Sequence, residues 1–535
     1  MYKFQEELFI KRINASKNHN FFNAIFKFDI VENIISRLQD NNGPNMIHYG
    51  LFSSSLADTM IKYSLNRLII TFSHTKWKSN IYGSTNFMSD IPSGISVFAQ
   101  FRSNVDIETE WESLTNLLSG MLCTSIGTSA RYYTIDPSDF INDSSGQSMN
   151  KWAIIPFETV CTENFAPWKK MLPCKKQGLI YLVNEIVWFS KHYIALRIDL
   201  TSKINQLYDA TIYQISFNST LNSLTTGMDV PSSLCMKYKS DIKHLFLHLF
   251  GKFYTNDNFC SIPYNASMLH FLNIDKNQSE SSINIADLLN ISENGKLIFS
   301  KSSQYLYENM YNSHKYLTGY SRHMATLNVI ISKFTFNQDL TNLITMSYLQ
   351  IIPFFLKIYV STLKIRAKLS NGTIHDCKDI KLTLKMPIKQ KSNNYQQEAA
   401  SFLQIYLFNK RPGIFDPQCF DSLNDIDRIT ISMSILFKLF AWHKYPPDSN
   451  HGFYIPGGLL KYNCENNKSD KNETRVIDKT VYDDALLLLL PTPDFSMPYN
   501  VLCISCTVLA LSFGTIFNYC SKIFLKGAFV YDRTS

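Results

Sequence analysis

Residues Pro491–Tyr519 read PTPDFSMPYNVLCISCTVLALSFGTIFNY, and from Val501 to Tyr519 the run holds no charged side chain. A helix that crosses a bilayer needs about 20 mostly apolar residues. Val501, Leu502, Ile504, Val508, Leu509, Leu511, Phe513, Ile516 and Phe517 supply them. Each favours insertion by roughly 0.3–0.6 kcal/mol, which outweighs the milder cost of Ser505, Thr507 and Ser512. The alternative is a buried helix of a soluble core, but no other part of the chain has such a run and the flanks suit a membrane. Pro498 ends the preceding structure, Tyr499 and Tyr519 sit where interfacial aromatics belong, and Lys522 and Lys526 lie on the C-terminal side only. That asymmetry predicts a cytosolic tail, residues 521–535, with everything before Pro491 across the membrane. One transmembrane helix, residues 501–520, carries a large body, and residues 491–500 lead into the bilayer.

Within the run, Cys503, Thr507, Ala510, Gly514 and Asn518 share one helical face. Small, weakly polar residues on one face let a second helix approach closely in lipid, although such residues are common in any spanning helix. Cys503 and Cys506 form a C-x-x-C, but a thiol in hydrocarbon has no base and no aqueous substrate, so no redox role is expected.

The rest of the chain is long enough for two or three domains. The whole chain's formal charge of +8 is modest and scattered, without the basic tracts and interleaved aromatics of a nucleic-acid binder. Eleven cysteines permit disulfides in an oxidising compartment. N-x-S/T sequons stand at Asn14, Asn142, Asn218, Asn265, Asn277, Asn290, Asn371, Asn467 and Asn472, close to the number that so Asn-, Ser- and Thr-rich a chain gives by chance. The opening MYKFQEELFIKRI has no apolar core and does not read as a signal peptide. Taken alone, that predicts a tail-anchored protein with a cytosolic body; a start further upstream predicts a lumenal one.

Period-two alternation marks strands at Asn66–His74, Gly94–Phe101, Tyr193–Leu200, Thr211–Phe217, Lys357–Ile365 and Asp379–Met386. A helix is expected from Asp106, as cap, to Leu122, with Ile107, Trp111, Leu114, Leu118 and Met121 on one face. Lys239–Phe250 is a second helix. The expectation is a mainly β body, sandwich-like, with helices at its edges, followed by one C-terminal transmembrane helix. Polar stretches at Asn273–Gly295, Lys389–Glu398 and Asn463–Asp478 read as loops or joints. The expected domains are residues 1–272 and 273–490, both β-rich.

Chemical motifs are sparse. His244 and His248 are spaced for a metal on one helix face, but the Glu of H-E-x-x-H is missing and the leucines and phenylalanine between them speak for packing, so no metal site and no cofactor are expected. His451-Gly452 is similar to the His-Gly pair of clan-CD cysteine proteases, yet Cys464 follows too closely in a polar loop. Val160–Cys174, VCTENFAPWKKMLPC, holds two cysteines, two prolines, a tryptophan and a lysine pair. Pro167 and Pro173 predict an exposed, rigid loop. Its cysteines either meet a neighbouring chain, bridge to each other, or stay free.

That loop and the tail carry a family resemblance. VCTENFAPWKKMLPC, PDSNHGFY at Pro447–Tyr454 and PTPDFSMPYNVLCISC at Pro491–Cys506 resemble the PIG-T family, the non-catalytic subunit of the GPI transamidase of the endoplasmic reticulum. KYSL at Lys62–Leu65, LLSGMLC at Leu117–Cys123 and LTGY at Leu317–Tyr320 are weaker echoes in family order, and Asp209–Ser313 is poorly matched. The resemblance implies a lumenal β-rich body that holds a caspase-like catalytic subunit among other membrane subunits, in a complex that attaches GPI lipid to precursor proteins. It implies an intersubunit disulfide at Cys161, a structural role for His451-Gly452, and no catalysis by this chain. Family members begin with a cleaved signal, and Glu6–Leu8 looks like the start of a mature chain. Pro491, Pro493, Asp494, Phe495, Ser496, Met497, Pro498 and Tyr499 would then lie at the lumenal membrane surface near the GPI headgroup. The rival reading is a lumenal thiol hydrolase acting through Cys161 or Cys464 with His451.

Overall fold

In the computed structural model the chain opens with a long antiparallel hairpin, β1 (Tyr2–Ser16) and β2 (His19–Arg37). The structure describes residues 2–16, 19–37, 50–82, 90–102, 106–137, 149–158, 160–207, 210–226, 235–236, 239–252, 258, 260–263, 267–272, 281–284, 297–298, 311–319, 321, 323–333, 343–377, 381–385, 400–409, 426–438, 445, 451–466, 475–490 and 496–521. Phe22, Ala24, Phe26, Phe28, Ile30 and Ile34 alternate along β2 and are all buried, as pleating requires of a strand with one face in a core. Each strand also buries a glutamate on its core face, Glu6 in β1 and Glu32 in β2. Both carboxyl groups accept hydrogen bonds from segments elsewhere in the chain, which is what lets them stay in a core. Glu32 accepts from the N–H groups of Gly50, Leu51 and Phe52 at 2.8, 3.0 and 2.9 Å. Glu6 accepts from Leu179 N–H at 3.2 Å and from the Ser267 hydroxyl.

The following elements are α1 (Ser54–Lys62), β3 (Leu65–Ser73), α2 (Ser79–Tyr82), β4 (Gly94–Phe101), α3 (Ile107–Leu122), α4 (Ile126–Tyr133), β5 (Thr134–Ile135), β6 (Met149–Ile155) and α5 (Thr162–Met171). After a 3-10 turn (Gly178–Leu182) come α6 (Glu185–Trp188), β7 (Tyr193–Leu207), β8 (Ala210–Thr226), β9 (Cys235–Met236), α7 (Lys239–Phe250), β10 (Met268–Leu272), β11 (Ser281–Asn284) and β12 (Leu297–Ile298). Ten of these strands form one sheet in the order β11-β10-β1-β2-β8-β7-β3-β4-β6-β5. Every pair in it is antiparallel except β1 with β10. The helices pack on this sheet through Met60, Trp111, Leu114, Leu118, Trp168, Trp188 and Phe250, which share one core with Phe28, Ile70, Val97 and Ile198.

A second group of strands comprises β13 (Tyr311–Thr318), β14 (Met324–Lys333), β15 (Leu343–Ile352), β16 (Leu356–Leu369), β17 (Ile374–Asp376), β18 (Lys381–Lys385), β19 (Ser401–Asn409) and β20 (Ile426–Phe437). It continues with β21 (Phe453–Ile455), β22 (Leu459–Asn466), β23 (Arg475–Tyr482) and β24 (Leu486–Leu488). Two five-stranded antiparallel sheets result, β13-β14-β20-β16-β17 and β18-β19-β15-β22-β23. Tyr311 of the first stands edge-on to Tyr462 of the second, ring centroids 5.3 Å apart. Lys315 of β13 reaches between the sheets to Asp483 at 3.1 Å, with neither side chain exposed. Lys315 also donates to the Pro456 carbonyl, and Asp483 accepts from Tyr348 Oη at 2.6 Å and from Gly458 N–H.

The chain forms two units, Met1–Phe437 with Tyr454–Leu488, and Lys438–Phe453 with Leu489–Ser535. The second contains α8 (Ser496–Ser521), which among the described residues is the helix long and apolar enough to cross a membrane. Residues 491–495 lie outside the described residues. Pro498 does not end a preceding element but falls in the first turn of α8, where its missing N–H has no helical partner to lose. Thr507 Oγ1 donates to Cys503 O at 3.0 Å and Ile504 O at 2.7 Å, so its hydroxyl is satisfied within the helix.

The mainly β class with few helices and one C-terminal apolar helix is therefore what the sequence leads one to expect. Each expected strand coincides with or overlaps an observed one, and both expected helices form. Three details differ. The Asp106 side chain makes no cap; its carbonyl instead accepts from Thr109 Oγ1 at 3.1 Å. The ends of the polar stretch Asn463–Asp478 belong to the paired strands β22 and β23. The third is the cysteine-proline segment.

Candidate functional site

Val160–Cys174 is not a loop: Thr162–Met171 is a helix, α5, with Asn164, Phe165, Trp168 and Met171 buried. Pro167 lies inside it and removes one bond, the one its N–H would give to the Glu163 carbonyl. Glu163 is on the exposed side of the helix. Burial of the other face outweighs the loss. Trp168 is fully buried, its Nε1 donating to Ser219 Oγ of β8 at 2.8 Å and its ring edge-on to Phe28. Phe165 packs on Trp168 and Trp188. At the far end Lys169 Nζ donates to Val183 O at 3.1 Å and approaches Glu185 at 3.5 Å; burial holds this ammonium below the usual lysine range.

Cys161 is the N-cap of α5, half-buried, with its thiol free. Asn164, at the third helical position and 1% exposed, holds it: Asn164 Oδ1 accepts from Cys161 N–H at 2.9 Å and from Cys161 Sγ at 2.8 Å. The other end of the same amide ties α5 to the end of α3. Asn164 Nδ2 donates to Leu122 O at 3.0 Å and to Cys123 O at 3.2 Å. One buried amide thus joins two helix ends and fixes the position of one thiol. Sequence reasoning missed Asn164, though a polar side chain three residues after a cap is the capping-box signal.

The two cysteines of the segment do not bridge to each other. Cys174 pairs with Cys260, 86 residues on, and fastens the end of this segment to the stretch between α7 and β10. The partner of the Cys161 thiol is an amide, which takes up no proton, and no imidazole is bonded to it among the described residues. His451 is exposed, and the side chain of Cys464 lies outside the described residues. His244 and His248 fall on α7, whose Leu245, Phe246, Leu249 and Phe250 are buried in the core.

The sequons separate sharply. Asn218 sits mid-strand in β8, Nδ2 donating to Asp29 Oδ1 at 2.6 Å, and the Ser219 and Thr220 that follow are buried. Asn371 is exposed at the turn between β16 and β17, where Gly372 takes φ +87°, and its Oδ1 accepts from Thr373 N–H and Oγ1 at 3.0 and 2.6 Å. Asn14 is in β1; Asn142, Asn265, Asn277, Asn290, Asn467 and Asn472 lie outside the described residues.

Residues 1–243 and 255–529 match the family described as "Gpi16 subunit, GPI transamidase component". The chain belongs to the Gpi16 family. It is 24% identical over 523 residues to the "GPI-anchor transamidase component PIGT" of Mus musculus, covering 89% of this chain and 84% of that protein. It is 25% identical over 504 residues to the "GPI transamidase component PIG-T homolog" of Schizosaccharomyces pombe, covering 89% and 83%. To the "GPI transamidase component GPI16" of Saccharomyces cerevisiae it is 23% identical over 535 residues, covering 89% and 82%. Among solved structures, the group B streptococcus pilus 2b backbone protein aligns with 31% of this chain and 56% of its own at 9% identity and a TM-score of 0.16, too low to bear on the fold. The site described above thus lies on a Gpi16 family chain whose curated relatives are GPI transamidase components.

Proposed function

We propose that this chain is the scaffold subunit of a GPI transamidase, anchored once in the endoplasmic reticulum membrane by α8, with its β-rich body lumenal and its C-terminus cytosolic. In this reading catalysis belongs to a caspase-like partner subunit, which the body holds through a disulfide at Cys161, and other membrane subunits pack on the helix seam of Cys503, Thr507, Ala510, Gly514 and Asn518. The two β-rich parts, residues 1–272 and 273–490, supply rigid docking faces, and Pro491–Tyr499 lies at the lumenal surface near the GPI headgroup.

The observation that carries the reading is the family match over nearly the whole chain. The geometry at Cys161 supports its finer part. A free, half-buried thiol at the start of a helix pinned by Trp168 and Asn164 is a fixed point of attachment, and a covalent tether raises the effective concentration of every further contact. The Cys174–Cys260 bridge suits an oxidising compartment. Against the thiol-hydrolase reading at Cys161, the thiol is bonded to an amide and to no imidazole among the described residues; the side chain of Cys464 lies outside them.

The test is Cys161→Ser in cells that carry the complex. A scaffold tether loses a reducible high-mass band on non-reducing gels, while partial GPI attachment survives through non-covalent contacts. Unchanged band mass with abolished activity would overturn the scaffold reading in favour of the hydrolase.

A further inference from the structure

Cys123 is the residue near Cys161 that this function leaves unused. It closes α3 in a left-handed conformation, φ 52°, a position where glycine is strongly favoured because a side chain there is strained. Its thiol is free and exposed, so packing does not explain it either. Its carbonyl is bonded to Asn164, the same buried amide that holds the Cys161 thiol. Two unpaired cysteines therefore stand at two helix ends joined by one side chain.

We infer that Cys123 and Cys161 form an intrachain disulfide before assembly, and that this bond is handed over to the partner subunit. The inference rests on the reading of Cys161 as the tether. Formation of the first bond removes two electrons and two protons from the two thiols, passed to the disulfide of a lumenal oxidoreductase, which leaves as a dithiol. The amide of Asn164 swings aside, and the helix ends approach to the roughly 4.4–6.8 Å that a disulfide spans between Cα atoms. In the handover a thiolate of the partner attacks Cys161 Sγ. The Cys123–Cys161 bond breaks, the Cys161–partner bond forms, and Cys123 departs as a thiolate that takes a proton from water. One disulfide is exchanged for another with no net oxidation. Asn164 then closes over the vacated space, and its bonds to Leu122 O and Cys123 O hold Cys123 away from the new bond. The tether is thereby formed without an external oxidant at the interface, and its reversal is impeded once Asn164 has docked.

The chemistry is read by mass spectrometry on the full chain in its native membranes, thiols first blocked with N-ethylmaleimide. Trypsin leaves Cys123 in Ser103–Arg131 and Cys161 in Trp152–Lys169, each the one cysteine of its peptide. The expected result is a Ser103–Arg131 to Trp152–Lys169 cross-link in newly made, unassembled chain, lost as Cys161 becomes linked to the partner. In pulse-chase, Cys123→Ser is expected to slow the appearance of the interchain band several-fold while the Cys174–Cys260 bridge stays intact. Maleimide on both cysteines of the unassembled chain, or an unchanged rate in Cys123→Ser, overturns the handover and leaves the tether standing. An interchain band that persists in Cys161→Ser overturns the tether itself.

Discussion

Lys315 and Asp483 lie 3.1 Å apart with both side chains sealed from solvent, and between them they draw in Tyr348, Pro456 and Gly458. Burial pulls the Lys315 ammonium below its usual range, against the opposing pull of Asp483. Replacing only one partner leaves an uncompensated charge in the core, which costs about 3–5 kcal/mol. Lys315→Met is expected to lower the melting temperature of the detergent-extracted chain far more than Lys315→Met with Asp483→Leu. Equal losses in the single and double variants would show that the pair is not coupled.

Glu6 gives the fold a pH dependence. Burial pushes its carboxyl up to about 7, and the bonds from Ser267 and Leu179 only partly offset this. A carboxyl raised in the folded state binds its proton more tightly there than in the unfolded chain. Its contribution is therefore full below about 4.5 and is lost as pH rises through about 7, a change of about 3 kcal/mol at most. Glu6→Gln keeps an acceptor for Leu179 and cannot ionise. Denaturant titrations should find it close to the parent at pH 5 and more stable than the parent at pH 8. A constant difference across that range would contradict the assignment.

Trp168 sets the position of Cys161 from the opposite end of α5. Trp168→Ala empties a fully buried site and removes the bond to Ser219, a loss of about 3–5 kcal/mol. The reducible interchain band should fall together with stability. Trp168→Phe, which keeps most of the volume, should retain more of the band, and a band indifferent to both changes would separate the helix from the tether.

Asn371 and Asn218 report which side of the membrane the body occupies. With a lumenal body, Asn371→Gln removes one glycan step on a denaturing gel and Asn218→Gln removes none, because Asn218 and its sequon partners are enclosed in a ten-stranded sheet. Absence of glycan from Asn371 and from every other sequon, with the body accessible to protease in intact microsomes, would place it in the cytosol.

What was legible in the sequence followed from periodicity. Trp111, Leu114 and Leu118 recur at helical spacing and are buried in α3, and Gly94–Phe101 alternates and is a strand. The first hairpin was open to the same reading, since Phe22, Ala24, Phe26, Phe28 and Ile30 alternate along β2; what local pattern does not encode is how Glu6 and Glu32 are satisfied in the core by distant segments. Helix α5 was hidden by Pro167, whose local preference is overridden by the burial of Phe165 and Trp168. The family motif directs attention to Cys161, whose role as a tether is a proposal, whereas Cys174–Cys260 depends on a pairing that spacing does not encode. Asn164 was overlooked because its importance lies in what it touches at Leu122 and Cys123.

The hairpin of β1 and β2 sits in the interior of the large sheet, between β10 and β8. Its neighbours come from far along the chain: Phe21 pairs with Thr226, and Glu6 waits for Ser267, 261 residues away. Leaving the ribosome well before β8 and β10, it spends much of synthesis with both flanks unpaired, and its apolar face is open to association with other nascent chains. Closing such long loops is slow. Biogenesis of this protein should accordingly depend on chaperones that shield the hairpin until the strand after Ser267 has emerged.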